Sequence, residues 1–507
     1  MTARAGGAGL LVVDVGSSSV RAAVVRPDAT VDCARHAPLD TGTPAPGLAE
    51  LDAVRLATTV LELAEAVLAE AGPVDGVGVA NQRATAVVWE RATGAPAAPA
   101  IGWQDLRTVG TCLALQADGI RLAPNMTATK VAAILDAVDP HRERARELCA
   151  GTIDSWVAWT LAGGPAGPGG GVHVTDPSNA AVTGLVDVAG AGRWEGRAGW
   201  DERILDALRI PREVLPVVVD TSGLIAPASA LPGAPPLCAL VGDQQASLFG
   251  QGCTRPGTAK ATWGTGGMLD LCTGDARPTR AARGEAGTFP IVAWRRGGEV
   301  TWGLEAMVLT AGSCIDWLRD DLGIIESATE SAVVAARCET TGDVWFVPAL
   351  MGMGTPVWDF GARGALLGIT RGTGRPEVVR AVLEGVAHRG ADLLEAAEAD
   401  AGTSVPALRV DGGMTANPVF VQALADACGR PVELSRELEA TTLGAGLLAG
   451  LATGTWSSAD EAAAACRPRA VVDPALDAAG RAARRARWLD ARERATRTIP
   501  ELSEIDF

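Results

Sequence analysis

The chain has 507 residues, and its 60 acidic residues against 44 basic ones give a formal net charge of −16. Because association with phosphate backbones and anionic lipid depends on Lys and Arg, this balance argues against nucleic acid or a membrane surface as partner. The length predicts about two to four domains.

The ten cysteines are scattered without a Cys-x-x-Cys pair, and the four histidines are dispersed. This distribution argues against a structural zinc site and a disulfide framework, and it predicts reduced thiols in a cytoplasmic protein. No segment reaches about 18 uninterrupted apolar residues, the length that a membrane-spanning helix needs.

The first half alternates between strand and helix patterns. In chain order we predict a strand, a Gly/Ser turn and a strand over residues 10–25, a helix over 51–72 ending at Gly72, a strand, polar turn and strand over 74–96, helices around 131–137 and 152–161, a flexible loop over 161–171, and an extended Pro-rich connector over 214–236.

The second half opens like the first. We predict a strand, a Gly-rich turn and a strand over 259–274, a helix over 304–321, a loop over 348–373, a helix over 375–399, a strand, Gly turn and helix over 408–429, and a small-residue helix over 441–454. Two halves that open alike indicate a duplicated fold with a cleft between the copies.

The turn after the first strand combines an acid with glycine and hydroxyl groups. Gly16 lets the backbone approach a ligand, and the hydroxyls of residues 17–19 with successive N–H groups can surround phosphate oxygens. Asp14 would repel a phosphate unless Mg²⁺ lay between them, so the pattern favours a metal-phosphate site. The alternative is an ordinary Ser/Gly turn.

Two further glycine turns offer anion sites. Residues 411–417 (DGGMTAN) follow an apolar strand and precede a helix, whose N-terminus favours negative charge, and residues 262–267 (TWGTGG) form a similar turn. No Gly-Lys-Ser/Thr follows, so neither is a Walker A loop. The alternative for the first is a strand–helix turn capped by Thr415 or Asn417.

Arg83 at a strand end and Trp103 in a turn offer a planar donor and an apolar face for a hydroxylated small molecule. A surface salt bridge and a packed Trp are the alternative. Asp243 stands where an apolar strand meets an apolar helix, and its carboxylate can accept a proton from an alcohol that attacks phosphorus. Alternatively, it caps a helix that begins near Gln245.

Together these segments resemble the FGGY family of carbohydrate kinases, and within it the glycerol kinase branch. The matching stretches run in family order from about residue 10 to 455: VDVGSSSVRA, VANQRATAVVWERATG, IGWQDLRT, ATKVAAILD, GTIDSWVAWTLAGG, HVTDPSNAAVTGL, GDQQASLFGQG, WGTGGMLDL, WFVPAL, ARGALLGITRGT and VDGGMTANPVFVQALADACGRPV.

The resemblance implies an α/β, two-domain actin/hexokinase-like (ribonuclease H-like) fold with a central cleft. It implies an N-terminal domain over residues 1–248 that binds substrate and phosphate, and a C-terminal domain over 249–507 that binds nucleotide. ATP and Mg²⁺ are the implied cofactors and a small polyol or sugar is the implied substrate. A homodimer and a homotetramer are both compatible with the family.

Residue by residue, the resemblance implies Asp243 as catalytic base and Asp14 with Asp243 at the metal. The implied ATP contacts are Ser17, Ser18, Ser19, Arg21, Thr265, Gly312, Asp316, Gly413 and Asn417. The implied substrate contacts are Arg83, Trp103, Asn125, Asp243, Gln244 and Met268.

Four of these segments depart from the glycerol kinase pattern. Ala84 stands where that branch has Glu, Asn125 where it has Tyr, Met268 where it has Phe, and Asp316 where it has Gln. A hydroxyl that loses its buried acceptor costs about 1–3 kcal/mol. Phosphorylation of glycerol to glycerol 3-phosphate is therefore the first hypothesis, and a larger polyol or ketose (erythritol, a pentitol, xylulose or ribulose) is the alternative.

Two other classes of function remain open from sequence. An actin-like or chaperone-like ATPase would need no Arg83/Trp103 pocket. A sensor that binds sugar without phosphoryl transfer would need neither Asp14 nor Asp243.

Overall fold

The computed structural model of the chain describes residues 8–186, 199–279, 283–437 and 439–505. The strands of the first half are β1 Leu10–Val15, β2 Ser19–Val25, β3 Val31–Pro38, β4 Glu50–Leu51, β5 Gly76–Asn81, β6 Val87–Glu90, β7 Ala100–Ile101, β8 Leu148–Gly151, β9 Val174–Thr175, β10 Val217–Val218, β11 Ser222–Pro227 and β12 Pro236–Gly242. Those of the second half are β13 Ala259–Trp263, β14 Gly267–Gly274, β15 Phe289–Arg296, β16 Glu299–Val308, β17 Trp345–Val347, β18 Ala365–Leu367, β19 Leu408–Asp411, β20 Val432–Ser435 and β21 Pro468–Val472.

The α-helices lie between and around these strands. They are α1 Ala53–Ala71, α2 Val109–Ala117, α3 Thr127–Val138, α4 Ile153–Leu161, α5 Pro177–Ala180, α6 Glu202–Leu208, α7 Asp243–Gly250, α8 Ser313–Asp316, α9 Glu330–Ala335, α10 Arg375–Ala401, α11 Pro418–Cys428, α12 Ala440–Thr453, α13 Ala459–Ala465, α14 Ala478–Arg494 and α15 Pro500–Ser503.

Two large sheets repeat one pattern of strands. The first has the order β11-β12-β5-β1-β2-β3 and the second β15-β16-β14-β13-β19-β20-β21. In each, an antiparallel hairpin (β1–β2 or β13–β14) pairs through its first strand with a parallel strand, β5 or β19. A further parallel strand and an antiparallel strand follow, β12 and β11 or β20 and β21. The repeated topology confirms the predicted duplication.

Two helices that follow corresponding strands of the two sheets contact each other. Helix α7 follows β12, and α12 follows β20. A Cβ atom on Gly444 would lie 1.8 Å from the carbonyl oxygen of Ala246, and one on Gly250 would lie 2.0 Å from that of Ala440. Only glycine permits so close an approach of two helix backbones. An apolar cluster that includes Phe249 and Leu447 surrounds the contact.

The first sheet packs on α1, which lies within the helix that the sequence predicts over residues 51–72. Asp52 caps this helix by accepting hydrogen bonds from the N–H groups of Val54 and Arg55, and Gly72 ends it with a φ of 81°. The helix residues buried against the sheet, spaced at three to four positions, include Leu56, Val60, Ala64 and Val67.

The predicted helix over 304–321 is wrong in its first part. Residues 299–308 form β16, which lies between β14 and β15, and helical structure begins only at Ser313. The middle of β16 is buried on both faces, so its apolar run shows no alternation and resembles a buried helix.

Three other segments differ from expectation. The Pro-rich connector contains β11, an edge strand, where prolines are tolerated because no ladder hydrogen bond is lost. The predicted loop over 161–171 contains two short 3₁₀ turns, and the sequence analysis missed α14, which buries Trp488.

Two expectations about the whole chain are tested by the described residues. All ten cysteines lie within the described ranges, and no disulfide joins them. None of the described helices has both the length and the apolar character that crossing a membrane requires.

Candidate active site

The carboxyl ends of three neighbouring parallel strands place the first group of polar side chains. Asp14 lies near the end of β1, Arg83 follows the end of β5, and Asp243 follows the end of β12. Carboxyl ends of parallel strands meet at one edge of a sheet, which is where ligands bind in open α/β folds. The Nε atom of Arg83 accordingly lies 3.4 Å from Oδ1 of Asp243.

Asp243 is the first residue of α7, and its side chain is 28% exposed. The alternative that it caps a helix beginning near Gln245 is wrong, because Gly242 occupies the N-cap position. Burial raises the pKa of Asp243, while the Arg83 guanidinium, a hydrogen bond from the Gln244 N–H and the charge of Lys260 lower it. The carboxylate is thus reachable, and the neighbouring cations and the helix N-terminus favour its charged, proton-accepting form against the effect of burial.

Arg83 is held by partners from both halves of the chain. Its Nη2 atom lies 2.7 Å from Oε2 of Glu305 on β16, and its Nη1 atom donates to Oε1 of Gln245 at 3.4 Å. The side chain is only 11% exposed. It is therefore a fixed guanidinium at the carboxyl edge of the first sheet, and the alternative of a surface salt bridge is wrong.

Lys260 is a fully buried cation that the sequence analysis missed. Its Nζ atom lies 2.7 Å from Oδ2 of Asp270 and donates to Oε1 of Gln244 at 2.6 Å and to Oγ1 of Thr262 at 3.1 Å. Because an ammonium group only donates, the amide oxygen of Gln244 must face Lys260. The amide NH₂ of Gln244 is then directed away from Lys260.

Asp270 and Glu305 are also functional candidates that the sequence analysis missed. They face each other in the register of β14 and β16, an arrangement of like charges that is destabilising by itself. Lys260 compensates the charge of Asp270, and Arg83 compensates that of Glu305. The available signal was a charged residue within each of three apolar strands, AKATW, GMLDLCTG and EVTWGLEAMV.

Asp14 has an unusual electrostatic environment. Burial raises its pKa to about 7, the charges of Asp243 and Glu439 add to the increase, and Arg21 and a hydrogen bond from Thr442 oppose it. The Thr442 hydroxyl donates at 3.4 Å, and Arg21 Nη1 lies 4.0 Å away. A buried carboxylate with so little compensation fits a divalent cation, which would restore its charged form.

No set of three or more His, Cys, Asp and Glu side chains in the described ranges is arranged to bind a metal by itself. Mg²⁺ in kinases usually takes one or two carboxylates and completes its coordination with water and phosphate oxygens. Asp14 and Asp243 therefore suit Mg²⁺ that arrives with a nucleotide.

The first turn presents the predicted hydroxyl groups. The Gly16 N–H donates to the carbonyl oxygen of Ser19 at 2.9 Å, which closes the turn and leaves Ser17 and Ser18 exposed. The indole Nε1 of Trp103 donates to Oγ of Ser17 at 3.0 Å, so the turn contacts the predicted substrate residue Trp103.

Arg21 connects the turn to the other half of the chain. Its Nη1 donates to Oε2 of Glu439, which directly precedes α12. The predicted phosphate contact Arg21 thus has a carboxylate partner in the second half of the chain.

The second group of predicted contacts surrounds the turn between β13 and β14. The exposed Thr265 accepts hydrogen bonds through its carbonyl oxygen from the N–H groups of Ala311 and Ser313, at 2.8 and 3.2 Å. A Cβ atom on Gly312 would lie 2.6 Å from the carbonyl oxygen of Gly264. Thr265 and Gly312 are therefore adjacent, and glycine is needed for this contact.

The turn after β19 contains two glycines in different surroundings. Gly412 has a φ of 89°, and a Cβ atom there would lie 2.5 Å from the carbonyl oxygen of Trp263. Gly413 is exposed, with no neighbouring heavy atom within 4 Å of an added Cβ. Gly412 packs against β13, and Gly413 leaves open space above the turn.

Asn417 caps α11, which confirms the capping alternative for this residue. Its Oδ1 accepts from the N–H groups of Val419 and Phe420, at 3.0 and 3.3 Å, and its Nδ2 donates to Oγ of Ser331 at 3.0 Å. Both ends of the amide are used within the protein. The predicted contact Asp316 lies exposed at the end of α8 and pairs with Arg319 at 3.0 Å.

Two predicted substrate contacts stand apart from this network. Met268 is half-buried on β14, two positions before Asp270. Asn125 is exposed, and its carbonyl oxygen accepts a hydrogen bond from Lys130 at 2.8 Å. Among the described residues, no hydrogen bond connects its side chain to the other predicted substrate contacts.

Comparison with known proteins identifies the family. Residues 10–250 match the N-terminal domain, and residues 259–453 the C-terminal domain, of the FGGY family of carbohydrate kinases. The chain belongs to this family. It is 40% identical to a glycerol kinase of Aromatoleum aromaticum over 504 residues, covering 96% of this chain and 98% of the relative. It is 42% identical to a glycerol kinase of Trichlorobacter lovleyi over 503 residues, with 96% and 98% covered.

Solved structures show the same fold. Plasmodium falciparum glycerol kinase with ADP superposes with a TM-score of 0.87 at 26% identity, covering 98% of this chain and 99% of that one. A xylulose kinase from Rhodospirillum rubrum superposes with a TM-score of 0.80 at 21% identity, covering 95% and 96%. These matches confirm the two-domain actin/hexokinase-like α/β fold and the resemblance to an ATP-dependent carbohydrate kinase.

Proposed function

We propose that this kinase transfers the terminal phosphoryl group of ATP to a primary hydroxyl of a small polyol, with glycerol as the first candidate. The observation that carries the proposal is the placement of Asp243 beside Arg83, at the carboxyl edge of the first sheet and at the start of α7. A partly exposed carboxylate next to a fixed guanidinium suits proton removal from a bound alcohol.

Asp243 accepts the proton as the hydroxyl oxygen attacks phosphorus. Arg83 orients that hydroxyl and balances the charge of the base, while its ion pair with Glu305 keeps the guanidinium in place. Gln244, whose amide oxygen faces Lys260, presents its NH₂ as a donor to a second hydroxyl. Trp103 supplies an apolar face for the carbon chain. Positioning and charge stabilisation then provide most of the acceleration.

The nucleotide is assigned to the second half, residues 249–507, and the substrate to residues 1–248. In this assignment the turns at Thr265, Gly312 and Gly413 border the nucleotide. The hydroxyls of residues 17–19 and the guanidinium of Arg21 bind the terminal phosphate. Arg21 then gives up its hydrogen bond to Glu439 and pairs with the phosphate instead. Asp14 and Asp243 hold Mg²⁺, which neutralises phosphate charge. We place the enzyme in the cytoplasm, in keeping with its ten cysteines joined by no disulfide.

A larger polyol or a ketose is the second candidate. Residue 84 is a buried alanine, so no carboxylate is available from this position to accept a substrate hydroxyl. Asn125 is exposed and unconnected to the other predicted contacts among the described residues, which leaves its amide for a longer substrate.

An ADP-release assay over glycerol, erythritol, the pentitols and the ketopentoses tests the proposal. We expect ADP release that depends on one of these acceptors and disappears in Asp243→Asn. ADP release independent of any acceptor would instead support an actin-like ATPase. Sugar binding by calorimetry without ADP release would support a sensor.

A further inference from the structure

A buried polar network lies behind the strand ends that carry Arg83 and Asp243. Its centre is Asp176, a fully buried carboxylate at the N-cap of the one-turn helix α5. It accepts hydrogen bonds from the N–H groups of Ser178 and Asn179, at 3.0 and 2.9 Å. It also accepts from the Ser178 hydroxyl at 2.9 Å, the Asn179 amide at 2.9 Å and the Thr221 hydroxyl at 2.7 Å.

Five hydrogen-bond donors on one carboxylate are more than the N-cap of the four-residue helix α5 requires. Burial raises the pKa of Asp176, and the hydrogen bonds oppose that change. A buried carboxylate is costly unless it is fully hydrogen-bonded, and a satisfied polar network specifies one geometry more sharply than apolar packing does. We therefore expect this network to hold specific neighbouring groups in one geometry.

The two residues bound to Asp176 reach the two neighbouring strand ends. The Ser178 hydroxyl accepts a hydrogen bond from the N–H of Gly242 at 2.9 Å. Asn179 and Asn81 exchange amide hydrogen bonds, at 2.8 and 3.1 Å.

Gly242 and Asn81 are direct partners in the parallel register of β12 and β5. Gly242 immediately precedes Asp243, and Asn81 lies two positions before Arg83. The carboxylate of Asp176 is thus connected, through Ser178 and Asn179, to the points where the chain leaves β12 and β5.

We propose that Asp176, Ser178 and Asn179 are positioning residues that fix the carboxylate of Asp243 relative to the guanidinium of Arg83. The segment that contains them, HVTDPSNAAVTGL, is otherwise without an assigned role. Its effect on turnover rests on the proposed kinase function, whereas its effect on the strand ends does not. A displacement of about 1 Å at a reacting group is enough to reduce turnover severely.

The test compares Ser178→Ala and Asn179→Ala with Ser178→Thr, which keeps the hydroxyl. The matched control is Thr183→Val, which removes a buried hydroxyl from the same segment; among the described residues this hydroxyl bonds to Ala180 and Leu185 and not to the Asp176 network. Hydrogen exchange of peptides that contain residues 81–83 and 242–244 is measured first, followed by kcat and KM for the best acceptor.

We expect faster exchange at these peptides in Ser178→Ala and Asn179→Ala, with kcat reduced about tenfold and KM for ATP unchanged. Ser178→Thr should retain both properties, and Thr183→Val should change neither. Unchanged exchange, or an equal loss of kcat in Thr183→Val, would overturn the positioning role. Faster exchange in a protein that phosphorylates no acceptor would refute the kinase proposal and leave the positioning role supported.

Discussion

The carboxyl edges of the two sheets carry different chemistry on one repeated pattern of strands. At the edge of the first sheet, ionisable side chains predominate, with Asp14, Arg83 and Asp243 within one network. At the equivalent edge of the second sheet the turns are glycine-rich, and Gly312 and Gly412 pack against backbone carbonyl groups. The fold thus supplies two equivalent edges, and the residues placed there decide what each edge binds.

The difference separates two tasks of a kinase. Proton transfer needs a side chain with a tuned pKa, which only an ionisable residue provides. Holding phosphate groups needs N–H groups and close backbone approach, which glycine turns provide. The second sheet also contributes Glu305, which pairs with Arg83 of the first half, and Lys260, which pairs with Asp270 of its own sheet and donates to Gln244 of the first half.

The largest expected effect comes from Asp243→Asn at the edge of the first sheet. Loss of the proton acceptor should reduce kcat by about two orders of magnitude or more, since Asn cannot take up a proton. ATP binding, measured by calorimetry, should be retained because the proposed nucleotide contacts lie on the second sheet. Asp52→Asn is the matched control, since Asp52 caps α1 and Asn caps equally well. Wild-type turnover in Asp243→Asn would remove the functional distinction between the two edges.

Asp14→Asn should reduce activity and increase stability. The mutant should need more Mg²⁺ for half-maximal activity, because one of the two proposed carboxylate ligands is lost. In metal-free protein the pKa of Asp14 is raised to about 7, so the unfolded chain binds fewer protons than the folded one between about pH 4 and 7.

Wild-type stability therefore falls as the pH rises through this range, by up to about 4 kcal/mol from this group, and then levels off. The Asp14→Asn variant does not lose stability in this way. Its free energy of unfolding in urea should therefore exceed that of the wild type by a difference that grows from pH 4 to pH 7. An advantage independent of pH would contradict the assigned electrostatic cause. Asp75→Asn, outside the site, serves as control.

The sequence predicts the carboxyl edges of the two sheets to different extents. The glycine turns and their flanking strands follow from local pattern, because a Gly-rich turn between two apolar runs has few alternatives. Asp14, Arg83 and Asp243 were found because they stand at strand ends. Lys260 and Glu305 were missed because a charge inside an apolar strand acquires meaning only through partners distant in sequence, here Gln244 and Arg83.

The same argument explains the errors in the fold. The pattern of residues 304–308 predicts a helix because a strand buried on both faces loses its alternation, and nothing in the sequence identifies its partners β14 and β15. Conversely, the helix over 53–71 was predicted because its cap and apolar spacing are both local.

Ala84→Glu tests the substrate side of the first edge. It restores a carboxylate where the glycerol kinase branch has one. Ala84 already has a φ of 64°, and Glu adds no further backbone cost at this position because alanine also carries a Cβ atom. We expect KM for glycerol to fall about tenfold, the effect of one restored buried acceptor, while KM for a five-carbon acceptor stays constant or rises. Ala84→Met controls for added volume. An unchanged KM for glycerol would show that another group already serves this hydroxyl.

The smallest expected effect is on the second edge, where two adjacent glycines should respond differently. Gly413→Ala meets open space, so stability should be unchanged, while the added methyl group faces the proposed nucleotide site and should raise KM for ATP a few-fold. Gly412→Ala forces an alanine into a left-handed conformation against the carbonyl oxygen of Trp263, which should cost about 1–2 kcal/mol or more of stability. Thermal unfolding and KM for ATP and acceptor, measured for both variants, separate the two roles. If Gly413→Ala raised KM for the acceptor instead of KM for ATP, the second edge would belong to the substrate, and the division of labour between the two sheets would be reversed.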